Sequence, residues 1–358
     1  MITSDQPYII GETAYNHEGD PAYLYTMIDD IAALGLHAVK FHLLLNPESY
    51  MQKRHPLLEK AKKMIFDTRQ WNDIFDYAGK KDLEIIALCD DVESLEYIIQ
   101  KNCGVDAIEL HATGLNDYFL LRAASKFDKH VILGIGGSTI DEIDYAVNFF
   151  RHEGKNDIIL MYGFQSYPTD YSDINLSKLL KIRNMFDLPV GYADHTRFDD
   201  PNNEIISVMA AMTGITILEK HYTPDYGKER IDYHAAVGKK QMMRIKELMA
   251  LALTVYGSGA LKMSQAERDY GNIGPMKKAI VAKRFIRKGE KLSLDNLWFK
   301  RTENESYIKQ SQFLELIGLQ AKQDIDIDEI IDFGKVRYTF RKKDVAGFTH
   351  LHKDKGEE

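Results

Sequence analysis

Three polar clusters recur between Gly191 and His234: Asp194-His195-Thr196, Glu219-Lys220-His221-Tyr222-Thr223 and Asp232-Tyr233-His234. Each of the first two closes a short apolar run that reads as a strand. If those strands are parallel neighbours, His195 and His221 leave the same rim. Two neutral imidazoles beside carboxylates suit a divalent transition metal with open positions. Ordinary polar strand ends would give the same local pattern, so the pairing of the two imidazoles carries the metal reading.

The elements that must hold these groups follow a repeating rhythm. Tyr8–Thr13, Ala38–His42, Glu84–Leu88, Ala107–Leu110, Val131–Leu133, Ile158–Met161, Val190–Ala193 and Ile217–Lys220 read as apolar strands. Helical spacing fills the intervals, with Asp20 before Pro21 as a helix start and Thr139-x-x-Glu142 as a capping box. Eight strand–helix units predict an α/β fold, a closed (β/α)8 TIM barrel with its chemistry at the carboxyl ends of the strands. Glu12, Lys40, Asp90, Tyr167, His195 and His221 all fall at such ends. An open doubly wound sheet is the alternative, disfavoured by the lack of a dinucleotide fingerprint. Residues 43–68 form a long polar excursion, a candidate lid.

The rhythm ends near Gly257. The expected division is a barrel over residues 1–257, a linker over 258–276, a small short-stranded domain over 277–343 and a charged tail over 344–358. The 358 residues are 44% hydrophobic and carry a net charge of -8, which argues against a nucleic-acid partner. Two cysteines in no metal spacing fit a reducing cytoplasm, and no apolar run is long enough to span a membrane. The first residues lack a basic-then-apolar signal pattern, so a cytoplasmic location is expected.

In order and at these separations, the motifs resemble the N-acetylneuraminate (sialic acid) synthases and their nonulosonate relatives. Gly11-Glu12, Asn16-His17-Glu18-Gly19, Val39-Lys40-Phe41, Tyr167-Pro168-Thr169, Asp194-His195-Thr196 and Glu219-Lys220-His221 carry the likeness. Residues 277–343, with Lys288-Gly289-Glu290 and Lys300-Arg301, resemble the family's antifreeze-like (SAF) module. The resemblance implies a transferase that condenses phosphoenolpyruvate with the open-chain aldehyde of an N-acyl hexosamine, as in sialic acid biosynthesis. It implies Mn2+ or Mg2+ on His195 and His221, with Glu12, Lys40 and Glu219 catalytic. Asn16, Gln165, Tyr167, Asp232, Gly136 and Gly137 would bind substrate, joined by Arg301 from the partner of a domain-swapped homodimer. The expected partners are thus a small-molecule sugar and an anionic three-carbon donor.

Several positions depart from the family pattern. Glu109 and Ala112 replace the lysine and serine that grip the donor phosphate; Gly134 and Ala193 replace two further serines, and Gln165 an asparagine. A glutamate about 4 Å from a phosphate costs roughly 4 kcal/mol at an effective dielectric near 20. One way round is the Gly134–Gly137 turn, whose following helix could bind an anion at its N-terminus, although such glycines also make plain tight turns. The other is a different donor, with His42 and His111 serving another acid, an uncharged group or a second metal. A diverged metal-dependent carbon–carbon lyase or synthase, and a non-catalytic sugar-binding homologue, stay open.

Overall fold

The computed structural model describes residues 6–166 and 169–338, and the chain divides into two compact units between Ser258 and Gly259. In the first, eight parallel strands close on themselves in sequence order. They are β1 (Tyr8–Glu12), β2 (Ala38–Leu43), β3 (Glu84–Cys89), β4 (Ala107–Leu110), β5 (His130–Gly134), β6 (Ile158–Tyr162), β7 (Val190–Asp194) and β8 (Ile217–His221). Pairing of β1 with β8, Glu12 opposite His221, seals the barrel and removes the open-sheet alternative.

Strand side chains alternate between the two faces, and this alternation builds the site. Outward residues such as Ile9, Val39, Phe41, Ile108 and Leu133 bury against the helices. Inward residues form an apolar floor: Tyr8, Ile10, Ala38, Ile86, Ala107, Ile132, Ile159 and Ile217. Two residues further along β1, β2, β4 and β8, the inward positions turn ionisable: Glu12, Lys40, Glu109 and Glu219. Two further again stand His42, His111 and His221.

The helices begin where their caps allow. Asp20 accepts hydrogen bonds from the backbone N–H of Ala22 and Tyr23 ahead of Pro21–Ala33. Thr139 and Glu142 close a reciprocal capping box on Ile140–His152. The excursion after β2 holds two short helices, Pro47–Tyr50 and Leu58–Ala61, anchored by buried Leu58, Ala61 and Phe66. The stretch read as a linker contains a helix, Gln265–Tyr270, started by a Ser264–Glu267 capping box. Its polar composition hid it: a short, wholly exposed helix has no apolar face to reveal its period.

In the second unit, β9 (Ala279–Ala282) pairs antiparallel with β10 (Leu297–Lys300). Single bridges such as Val281–Ile330 and Ile286–Ile325 extend the pairing around a core of Ile280, Leu292, Leu297, Ile308 and Ile325. The charged tail, 344–358, lies outside the described residues, as does Tyr167.

Candidate active site

A cavity of about 740 Å³ opens at the carboxyl ends of the barrel strands. Its centre is Lys40, 2% exposed and ringed by three carboxylates. The ammonium lies 2.9 Å from Glu109 Oε2, 2.7 Å from Glu219 Oε2 and 3.3 Å from Glu12 Oε1. The contact to Glu109 has hydrogen-bond geometry, and the closer contact to Glu219 is an ion pair. All four come from inward strand positions, so strand register brings together residues up to 207 apart in sequence (219 − 12).

Glu12 is the second hub. Its Oε1 is 2.6 Å from His42 Nε2 and its Oε2 is 3.3 Å from His221 Nε2. Burial alone would raise this carboxyl, but Lys40 and His221 outweigh it and hold it well below the usual carboxylate range. Burial and the neighbouring Glu12 charge push Glu219 well above that range. Burial also raises Glu109, against the pull of Lys40. Lys40 shows the converse balance: burial opposes its charge, and the three carboxylates overcome it and keep it protonated. The three acids thus differ in proton affinity around one fixed cation, Glu12 held down and Glu109 and Glu219 pushed up.

His195 and His221 meet edge to face, ring centroids 5.0 Å apart, on adjacent strands at the same rim. His195 Nδ1 lies 3.2 Å from the Ala193 carbonyl, which fixes the ring and turns Nε2 away from the backbone. Burial and His221 push His195 down to about 3, so it is a neutral imidazole. His221 Nδ1 is buried with no hydrogen-bond partner among the described residues. Those residues hold no ready-made cluster of three or more His, Cys, Asp or Glu ligands. The pair can thus supply two nitrogen ligands, leaving the other positions of a cation to water or substrate, and the orphaned nitrogen fits such a use.

Behind this pair, buried Asp194 accepts from Tyr192 Oη at 2.9 Å, Thr196 Oγ1 at 2.7 Å and Ser207 Oγ at 2.7 Å. It also accepts from Lys220 Nζ at 2.5 Å. This network ties the ends of β7 and β8 together and so sets the spacing of His195 and His221.

The cavity also gathers Gln165, Gly136, Gly137 and Asp232. Gln165 Nε2 is buried and unpartnered among the described residues, an amide donor at the wall. Gly136 is packed so closely that an added Cβ would lie 1.8 Å from the Gly163 carbonyl oxygen. Asn16 stands beside the cavity: its Nδ2 donates to the Ile231 carbonyl at 3.0 Å and steadies the loop bearing Asp232. Arg301 belongs to the second unit, where its Nε donates to the Pro275 carbonyl at 2.7 Å. The wall includes Tyr15, Tyr50 and Glu142, which were not among the expected site residues. Glu142 was visible in the sequence only as a helix cap, and Tyr50 lies in the excursion, where no periodicity points to it. Tyr15 donates to Asp90 Oδ2 at 3.1 Å. Burial raises Asp90 to about 6.

A closed parallel barrel with an ionisable cluster at its carboxyl-terminal mouth, followed by a small β-rich module, is the architecture of a barrel enzyme that works through its strand ends. The chain belongs to the NeuB family, whose model matches residues 27–260, and an SAF domain matches residues 277–337. It is 31% identical over 325 residues to protein MJ1065 of Methanocaldococcus jannaschii, covering 90% of this chain and 93% of that one. It is 27% identical over 338 residues to the N,N'-diacetyllegionaminic acid synthase of Campylobacter jejuni, covering 90% and 98%. The crystal structure of N-acetylneuraminic acid (sialic acid) synthetase from Leptospira borgpetersenii superposes with a TM-score of 0.68 at 27% identity, over 74% of this chain and 90% of that one.

Proposed function

We propose that this chain joins a three-carbon donor to the open-chain aldehyde of an N-acylated hexosamine and so makes a nonulosonic acid. The observation that carries the reading is the Glu12 hub: one carboxylate touching Lys40, His42 and His221 at the mouth of a barrel. The N,N'-diacetyllegionaminic acid synthase and the N-acetylneuraminic acid (sialic acid) synthetase to which it is similar support the acceptor class.

A divalent cation held by His195 and His221 would supply Lewis acidity at the aldehyde oxygen. The remaining work falls to the chain. Glu12 is placed to take a proton from water or from the donor, because His42 and Lys40 fix both its position and its charge. Glu219, 2.7 Å from Lys40 and on the same strand as His221, stands ready to return a proton to the new alkoxide. Gln165 offers its amide to a sugar oxygen, and Asp232 faces the same space. Arg301 is proposed to reach the sugar of a partner subunit in a homodimer.

Phosphoenolpyruvate is the donor that the family resemblance implies. A second reading, a donor without phosphate, is favoured by the Lys40–Glu109 contact at 2.9 Å. Incubation of the full chain with Mn2+, N-acetylmannosamine or related hexosamines, and each donor, tests the proposal by mass spectrometry. A product carrying the sugar plus three donor carbons is expected. Absence of that product with every hexosamine and both donors would refute the proposal.

A further inference from the structure

We propose that the turn after β1, residues 16–19, aims Asp232 at the sugar, with Glu18 and Arg230 as its positioning residues. The proposal rests on the reading of the cavity as a condensing centre in which Asp232 meets the acceptor.

Asp232 has to be held in place. Its backbone lies in the left-handed region, at φ 63° and ψ 10°. A residue other than glycine keeps that conformation where its surroundings impose it. The segment leading to it has little apolar anchorage, since residues 226–229 are exposed. The peptide before Asp232 sets the direction of its side chain, so whatever fixes Ile231 fixes where the carboxylate points.

Both backbone groups of Ile231 are taken by the turn after β1. The Ile231 N–H donates to Glu18 Oε1 at 3.1 Å, and the Ile231 carbonyl accepts from Asn16 Nδ2 at 3.0 Å. Arg230 closes the clasp from the other side. Its Nη1 donates to the Asn16 carbonyl at 3.1 Å and lies 3.4 Å from Glu18 Oε2. Its guanidinium covers the Tyr23 ring, 3.8 Å from the centroid.

The turn is itself fixed. Asn16 is buried, and its Oδ1 accepts from Tyr23 Oη at 3.3 Å. His17 stacks on Phe66 of the excursion, ring centroids 4.8 Å apart. Gly19, at φ 84°, packs so closely there that an added Cβ would lie 2.5 Å from the Lys63 carbonyl oxygen. The turn is thus a post between the excursion and the loop after β8, and Ile231 is tied to it. Ile231 and Asp232 line the cavity, whereas Glu18 and Arg230 stand outside that lining. Glu18 and Arg230 therefore act on the sugar through Asp232, and their loss should be felt by the acceptor rather than the donor.

The full chain with Mn2+, phosphoenolpyruvate and N-acetylmannosamine yields separate KM values for donor and acceptor. Glu18→Ala, which loses both contacts of the carboxylate, should raise the acceptor KM about tenfold and leave the donor KM within about twofold. Glu18→Gln keeps an oxygen for the Ile231 N–H and should recover most of that loss. Arg230→Met keeps apolar contact with Tyr23 and should raise the acceptor KM about threefold, which decides the matter should Glu18→Ala not fold. A second readout needs no turnover: hydrogen–deuterium exchange in residues 224–235 should be about tenfold faster in Glu18→Ala than in wild type. An unchanged acceptor KM, or equal rises for both substrates, overturns the positioning role. Unchanged exchange in that segment overturns the clasp. No product from the wild type with any hexosamine removes the proposed condensation, and the exchange comparison alone then upholds or overturns the clasp.

Discussion

Replacing Lys40 with methionine should reveal how much of the barrel's stability hangs on one cation. The substitution preserves most of the side-chain volume and leaves three buried carboxylates facing one another. At 2.7, 2.9 and 3.3 Å from the ammonium, each attraction would be roughly 5–6 kcal/mol at an effective dielectric near 20 with its acid ionised. Most of that is offset by desolvation and by repulsion among the acids. Removing one member of a buried ionic set typically costs about 3–5 kcal/mol, and that is the expected loss for Lys40→Met at pH 8. Without the cation, the carboxyls fold with raised pKa values. Their penalty is absent while they are protonated and grows as pH rises through the unfolded glutamate value of about 4.3. Urea unfolding at pH 5 should therefore show a smaller difference between variant and wild type than at pH 8. Lys40→Met combined with Glu109→Met should recover part of the loss, because the Lys40–Glu109 ion pair is then removed as a whole. A pH-independent loss below about 1 kcal/mol would refute the view that Lys40 neutralises the cluster.

Three other outcomes follow from the same geometry. Asp90 sits at about 6 because of burial, so its ionisation costs the folded state stability as pH rises from about 4 to 6. Asp90→Asn, which can still accept from Tyr15, should be more stable than wild type at pH 7 by about 1–3 kcal/mol, and equal melting temperatures would contradict this. Gly136→Ala places a Cβ 1.8 Å from a backbone oxygen and should cost about 1–3 kcal/mol, seen as a lower urea midpoint. His221→Ala should weaken Mn2+ binding at least tenfold in a direct titration with no substrate present, while far-ultraviolet circular dichroism stays unchanged.

Much of the barrel is readable from local pattern. Short apolar runs alternating with helical spacing have few other solutions, and caps at Asp20 and Thr139 announce themselves by residue type. The helix Gln265–Tyr270 escaped because nothing apolar marks its face. Glu12, Lys40, His195 and His221 could be named beforehand because each falls where an apolar strand run ends, within a motif that resembles the family's. Glu109 could be flagged as an anomaly, but a lone glutamate in a strand does not reveal its partner.

What the sequence by itself determined is which residues point inward and which end of each strand they crown, because backbone geometry makes that choice residue by residue. Closure of the barrel decided the rest. By setting β1 beside β8 and holding Glu109 against Lys40, it turned four separate strand-end groups into one buried ionic cluster. Charge interactions depend on distance and burial, and both are properties of the closed sheet.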